Sequence, residues 1–168
     1  FGDRRANQRW AEVAFQAALA HFTEGRSPRD YAMVQNNLAG LYWTLAGLGE
    51  DVRANLRAAE AAHHEALKYT LEATQPLLYA MRHNNLGAIY IALAQLDGEE
   101  ARAWLLKAEV AYKEALKYWL ADRVPQYYAG TQYNLGNTYH DLSCLDGEDR
   151  AARLTQAEAA YQAALTQQ

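Results

Sequence analysis

The sequence predicts an all-α fold, an α-solenoid of antiparallel helix pairs with seven helices, and three observations predict it. One stretch occurs three times, as NNLAGLY at 36–42, NNLGAIY at 84–90 and YNLGNTY at 133–139, so Asn37, Asn85 and Asn134 hold one position at spacings of 48 and 49 residues. A second stretch occurs four times, as AEVAFQAAL at 11–19, AEAAHHEAL at 59–67, AEVAYKEAL at 108–116 and AEAAYQAAL at 157–165. Four copies of one half and three of the other make the seven helices. Third, alanine, leucine, glutamate, glutamine and arginine dominate, with only three prolines and ten glycines in 168 residues, a balance that favours helix throughout.

From about Asp3 to Thr23, Trp10, Val13, Ala14, Ala17, Ala18 and Phe22 recur at three- and four-residue steps, the pattern of an amphipathic helix. Glu24-Gly25-Arg26-Ser27-Pro28 then stops one helix and starts the next: glycine suits the exit, serine the N-cap, and proline the first helical position, where no amide hydrogen is needed. Pro76 and Pro125 recur at the same place, and helices are expected over 28–46, 76–95 and 125–144. Each should end at a glycine turn: Gly47-Leu48-Gly49-Glu50-Asp51, Leu96-Asp97-Gly98-Glu99-Glu100 and Leu145-Asp146-Gly147-Glu148-Asp149. The acidic pair after the glycine is expected in the first turn of the following helix, where negative charge meets the amide-rich end of the dipole. A calcium loop also combines Asp, Gly and Glu, but it needs a longer run with ligands at alternate positions. The chain thus divides into an orphan second helix (1–27) and three repeats (28–75, 76–124 and 125–168) of one solenoid. Starting at Phe1 and ending inside a helical pattern, it reads as a piece of a longer protein.

The formal net charge of −4, with no cluster of lysine or arginine on a repeated face, argues against nucleic acid as a partner. One cysteine, Cys144, excludes an internal disulfide framework and fits a reducing, cytoplasmic location. No apolar run approaches the ~18 residues a membrane span needs, so no membrane partner is expected.

These repeats resemble the tetratricopeptide family. Its first-helix leucine, small residue and tyrosine match Leu38-Ala39-Tyr42, Leu86-Gly87-Tyr90 and Leu135-Gly136-Tyr139. Its second-helix alanine, aromatic and alanine match Ala59-His63-Ala66, Ala108-Tyr112-Ala115 and Ala157-Tyr161-Ala164, and its terminal proline matches Pro28, Pro76 and Pro125. The likeness covers nearly the whole chain, with two departures. The usual repeat has about 34 residues, whereas here extra residues fall around the inter-helix turn and before the proline. The family's early tryptophan is replaced by Gln35, His83 and Gln132. Both helices of a pair should then be roughly 20 residues, or ~30 Å, long. The paired-asparagine form is similar to the longer repeats of kinesin light chains and of bacterial signalling-associated arrays. The resemblance implies a right-handed superhelix whose first helices line a concave groove.

Helical periodicity splits the middle first helix into two faces. Tyr79, Leu86, Gly87, Tyr90 and Leu93 should pack on second helices, while Met81, Asn85, Ala88 and Ala92 fall in a narrow arc on the other side, flanked by Asn84 and Ile91. The equivalent arcs are Met33, Asn37, Gly40 and Thr44, and Gly130, Asn134, Asn137 and Asp141. Small residues leave room there for an extended peptide, and asparagine offers a donor and an acceptor that match a peptide backbone. The expected function is therefore binding of a peptide or partner segment by an asparagine ladder. Met33, Asn36, Trp43, Met81, Asn84, Ile91, Tyr133, His140 and Asp141 would flank the ladder and select the ligand. The other reading of the asparagines is that they hydrogen-bond a neighbouring helix and hold repeat register. The alternative from another class is a structural spacer or self-assembly module, because neither terminus shows a polar capping helix and end helices would stack on other chains.

Chemistry has little to stand on. His140 and Cys144 lie four residues apart, but a helix turn supplies neither a depressed thiol pKa nor an oxyanion site. His63 and His64 are adjacent and diverge, unlike metal-sharing pairs at i, i+4, and His63 takes the aromatic core position. No phosphate-cradling glycine loop occurs. No catalytic, cofactor or metal site is expected, and no enzyme.

Overall fold

The computed structural model describes residues 4–145 and 149–166, with side chains from Ala6 onward. Among the described residues the chain is all-helical: α1 (Arg4–His21), α2 (Pro28–Gly47), α3 (Val52–Lys68), α4 (Pro76–Leu96), α5 (Ala101–Leu116), α6 (Pro125–Leu145) and α7 (Arg150–Leu165). α2, α4 and α6 are the first helices of the pairs and open on the three prolines, whose fixed φ suits the first helical turn. Within each unit, short connections make consecutive helices antiparallel neighbours. The chain divides into two compact units, Phe1–Gln75 and Pro76–Gln168, and the boundary falls where the second repeat begins.

In the first unit α2 packs on α3 and on α1. Val34, Leu38, Ala39, Leu41 and Leu45 of α2 and Ala62 of α3 form a buried cluster, against which Ala11, Phe15, Ala18 and Leu19 of α1 pack. The Tyr42 hydroxyl donates to Glu12 Oε1 at 3.1 Å, tying α2 to α1. Burial, and then this carboxylate, hold the phenol above its ordinary pKa.

In the second unit α4 pairs with α5 and α6 with α7, while α6 also packs on α5 and touches α4. The small residues of the repeat explain the close approach within each pair. A Cβ on Gly87 would meet the Tyr112 ring at 2.5 Å, and one on Gly136 the Tyr161 ring at 2.6 Å. Tyr90 stacks on Trp104, with Lys107 Nζ 4.2 Å from the indole centroid, and Tyr79 meets Tyr118 edge-on. Between the two pairs, Arg153 of α7 donates to Glu109 of α5 at 3.0 Å, and Glu109 also holds Lys113 at 2.6 Å.

Two local expectations need correction. The acidic pairs do not enter the first turns: Asp51, Glu100 and Asp149 are the N-cap residues, no side-chain cap bond forms, and the first turns of α3, α5 and α7 hold no acid. In the α2–α3 connection the reason is backbone geometry, because Gly49 (φ 79°) and Asp51 (φ 32°) are both left-handed and the helix starts only after them. Asp146, Gly147 and Glu148 of the third turn lie outside the described residues. The second helices are also shorter than expected, 17 residues in α3 and 16 in α5 and α7, against 20 or 21 in the first helices. The residue before a proline is pushed away from helical ψ, and turns fill the approach to Pro76 and Pro125. No helix among the described residues is long and apolar enough to cross a membrane.

Candidate functional site

The face opposite the core leucines carries the expected residues. On α2, Met33, Asn37, Gly40, Trp43 and Thr44 are all exposed and succeed one another at helical spacing, while Leu38, Ala39, Leu41 and Leu45 are buried beneath them. Trp43 is 43% exposed, so its indole belongs to the displayed face and not to the core. Thr44 spends its hydroxyl on the Gly40 carbonyl of its own helix at 2.8 Å. Asn36, one residue before the ladder position, is half-buried, and its Oδ1 is buried without a hydrogen-bond partner.

In the second unit the corresponding faces of α4 and α6 lie on neighbouring helices. Asn85, Ala88 and Ile91 are half-exposed on α4. On α6, Tyr133, His140 and Asp141 are exposed and Asn134 is half-exposed, with His140 Nδ1 3.5 Å from Asp141 Oδ1. Three expected contact residues are partly committed to packing. Met81 packs against Ala80, Ala115 and Trp119. Asn84 Oδ1 accepts from the Thr131 hydroxyl at 3.0 Å, joining α4 to α6. Asn137 Oδ1 accepts from the Tyr161 hydroxyl at 2.8 Å, joining α6 to α7, while the Tyr133 ring lies 5.9 Å from Tyr161.

The ladder residues behave differently from their neighbours. Among the described residues the side chains of Asn37, Asn85 and Asn134 make no hydrogen bond, and neither does that of Asn36, whereas in the second unit Asn84, beside Asn85, and Asn137, one helical turn after Asn134, do. The exposed amides sit on an almost uncharged surface: Asp141 is the one ionisable side chain besides His140 in the three arcs and their flanks. Arg82 lies next to Met81 but is buried, and desolvation lowers its pKa. Its alignment with Val34 and Thr131, both buried, marks that position as core.

The groups weighed for chemistry stay apart from this face. His63 is buried in the aromatic core position of α3, and Cys144 is exposed near the end of α6. No group of three or more His, Cys, Asp or Glu side chains among the described residues is placed to hold a metal ion.

The fold and this face define a class of molecule, a repeat of helix pairs that displays uncommitted amides on its first helices. No protein-family model, curated protein or solved structure matches the chain.

Proposed function

We propose that this chain is a tetratricopeptide-like interaction module that binds extended peptide segments through Asn37 in the first unit and through Asn85 and Asn134 in the second. The observation that carries the reading is the split among the asparagines of the second unit, where Asn84 and Asn137 are bonded and Asn85 and Asn134 are not. A residue that only held register would be expected to have its amide occupied, as Asn84 does with Thr131. An uncommitted amide on a face of small residues offers one donor group and one acceptor to a peptide main chain. Met33 and Trp43 then supply apolar anchorage beside Asn37, and Ile91, Tyr133 and His140 do so beside Asn85 and Asn134. The near absence of charge favours an apolar or neutral segment over an acidic one. The module acts by binding and not by catalysis, and its single cysteine suits the cytoplasm.

The test is a peptide-display selection on the wild-type chain, followed by titration of the recovered peptides. A hydrogen bond contributes about 0.5–1.5 kcal/mol net, so Asn37→Ala should weaken binding to the first unit by roughly 2- to 10-fold, and replacing Asn85 and Asn134 together by alanine should weaken binding to the second by roughly 5- to 150-fold. The melting temperature should barely move. Loss of fold in parallel with loss of binding would return these asparagines to a register role.

A further inference from the structure

α1 is a second-type helix with only one of the two neighbours that such a helix has in the second unit. There α5 lies between α4 and α6. On the α4 side, Ala80 packs on Ala115 and Trp119, and Gly87 seats the Tyr112 ring. By the repeat, Ala14, Phe15, Ala18 and Phe22 of α1 correspond to Ala111, Tyr112, Ala115 and Trp119 of α5. α2 occupies the position that α6 holds on α5, packing on Ala11, Phe15, Ala18 and Leu19. Among the described residues of the first unit, no helix stands where α4 does.

The uncovered side is apolar and continuous. Ala6, Trp10, Val13, Ala14 and Ala17 are exposed at i, i+4, i+7, i+8 and i+11, one stripe of a helix, with Trp10 73% and Val13 60% exposed. Ala14 is exposed where its counterparts Ala62, Ala111 and Ala160 are all buried, and Phe22 is exposed where Thr70 and Trp119 are buried. Trp10 adds an aromatic where the complete pairs carry Ala58, Lys107 and Gln156. The repeat thus shows what covers such a face: a first-type helix. A second copy of this chain has none to lend, because Leu38 and Ala39, Leu86, Gly87 and Tyr90, and Leu135, Gly136 and Tyr139 are already buried within their own units.

We propose that the Trp10 side of α1 is a docking face for a first-type amphipathic helix from outside residues 1–168. That helix carries a leucine, a residue no larger than alanine immediately after it and a tyrosine three positions further on, with the small residue set over Phe15.

The probe is a synthetic peptide with the sequence of residues 76–96, titrated into the full ¹⁵N-labelled chain. The Trp10 indole signal, assigned by its loss in Trp10→Phe, should shift saturably with a micromolar Kd. A peptide with leucine at the position of Gly87 should bind at least about tenfold more weakly, because its side chain meets the Phe15 ring. In the chain, Ala14→Glu should weaken binding by a similar factor and leave the melting temperature unchanged. The proposal is overturned if millimolar peptide leaves the Trp10 signal in place, or if the leucine peptide binds as well as the glycine one. It is equally overturned if the chain alone forms a dimer that Ala14→Glu dissociates, which would assign the face to a second copy.

Discussion

In the second unit the gap between paired helices is filled by a tyrosine against a glycine, Tyr112 on Gly87 and Tyr161 on Gly136. In the first unit the same two positions hold the smaller ring of His63 and the larger Ala39, both buried. One side gained a methyl group where the other lost part of a ring. Close-packed interiors respond to the summed volume at a contact, so a smaller ring with a larger partner is the compensation that packing allows.

The largest expected effect tests that compensation. Gly87→Ala places a Cβ 2.5 Å from a buried ring, and overpacking costs about 1–3 kcal/mol, more than the ~1 kcal/mol that alanine returns as a helix former. A net loss of up to about 2 kcal/mol should be seen in urea unfolding. Adding Tyr112→His rebuilds the first unit's pair inside the second, and should recover part of the loss with a coupling of about 1 kcal/mol. Strict additivity of the two changes would break the comparison. Gly136→Ala should cost less, since Tyr161 is only half-buried and has room to yield.

Asn84 and Asn85 sharpen a second contrast, between identical neighbours on one helix. Asn84→Ala removes the bond from Thr131 and should cost about 0.5–1.5 kcal/mol, towards the lower end because the threonine hydroxyl also donates to the Tyr127 carbonyl at 2.8 Å. Asn85→Ala should change stability by less than about 0.5 kcal/mol. Equal losses from the two would mean that Asn85 is also a packing residue. One further effect has the opposite sign. An added Cβ at Gly40 meets nothing within 4 Å, so Gly40→Ala should stabilise α2 by about 0.5–1 kcal/mol, readable as a small rise in melting temperature.

Helix number, order and the N-termini of the first helices are legible in the sequence because each rests on a local rule repeated several times. A proline at the first helical position, a leucine–small–tyrosine face and an alanine-rich second helix recur in register. The exposed arc is legible for the same reason, since 100° per residue separates Asn37 from Leu38 whatever the neighbours do. The division of labour among the asparagines is not. Asn84 and Asn85 are the same residue type side by side, and only Thr131, 47 residues further on, decides which amide is taken. The ends of the second helices escaped for a related reason: alanine-rich segments carry no stop signal of their own, and α3 and α5 end where turns leading to the next element begin.

The Glu109 carboxylate, shared by Lys113 of its own helix and Arg153 of α7, has a consequence for how the second unit comes apart. In a linear array of repeats, each unit's chance of opening is set by its own stability and by the interface to the next. Here the interface between the last two repeats combines apolar packing of α5 on α6, the neutral Asn84–Thr131 bond and this ion pair. Salt screens a pair this little exposed only weakly, but replacing Arg153 by glutamine removes the third without touching the first two. Fraying of α7 should therefore grow in Arg153→Gln while the junction between α4 and α6 holds, which gives the array an end that loosens by degrees.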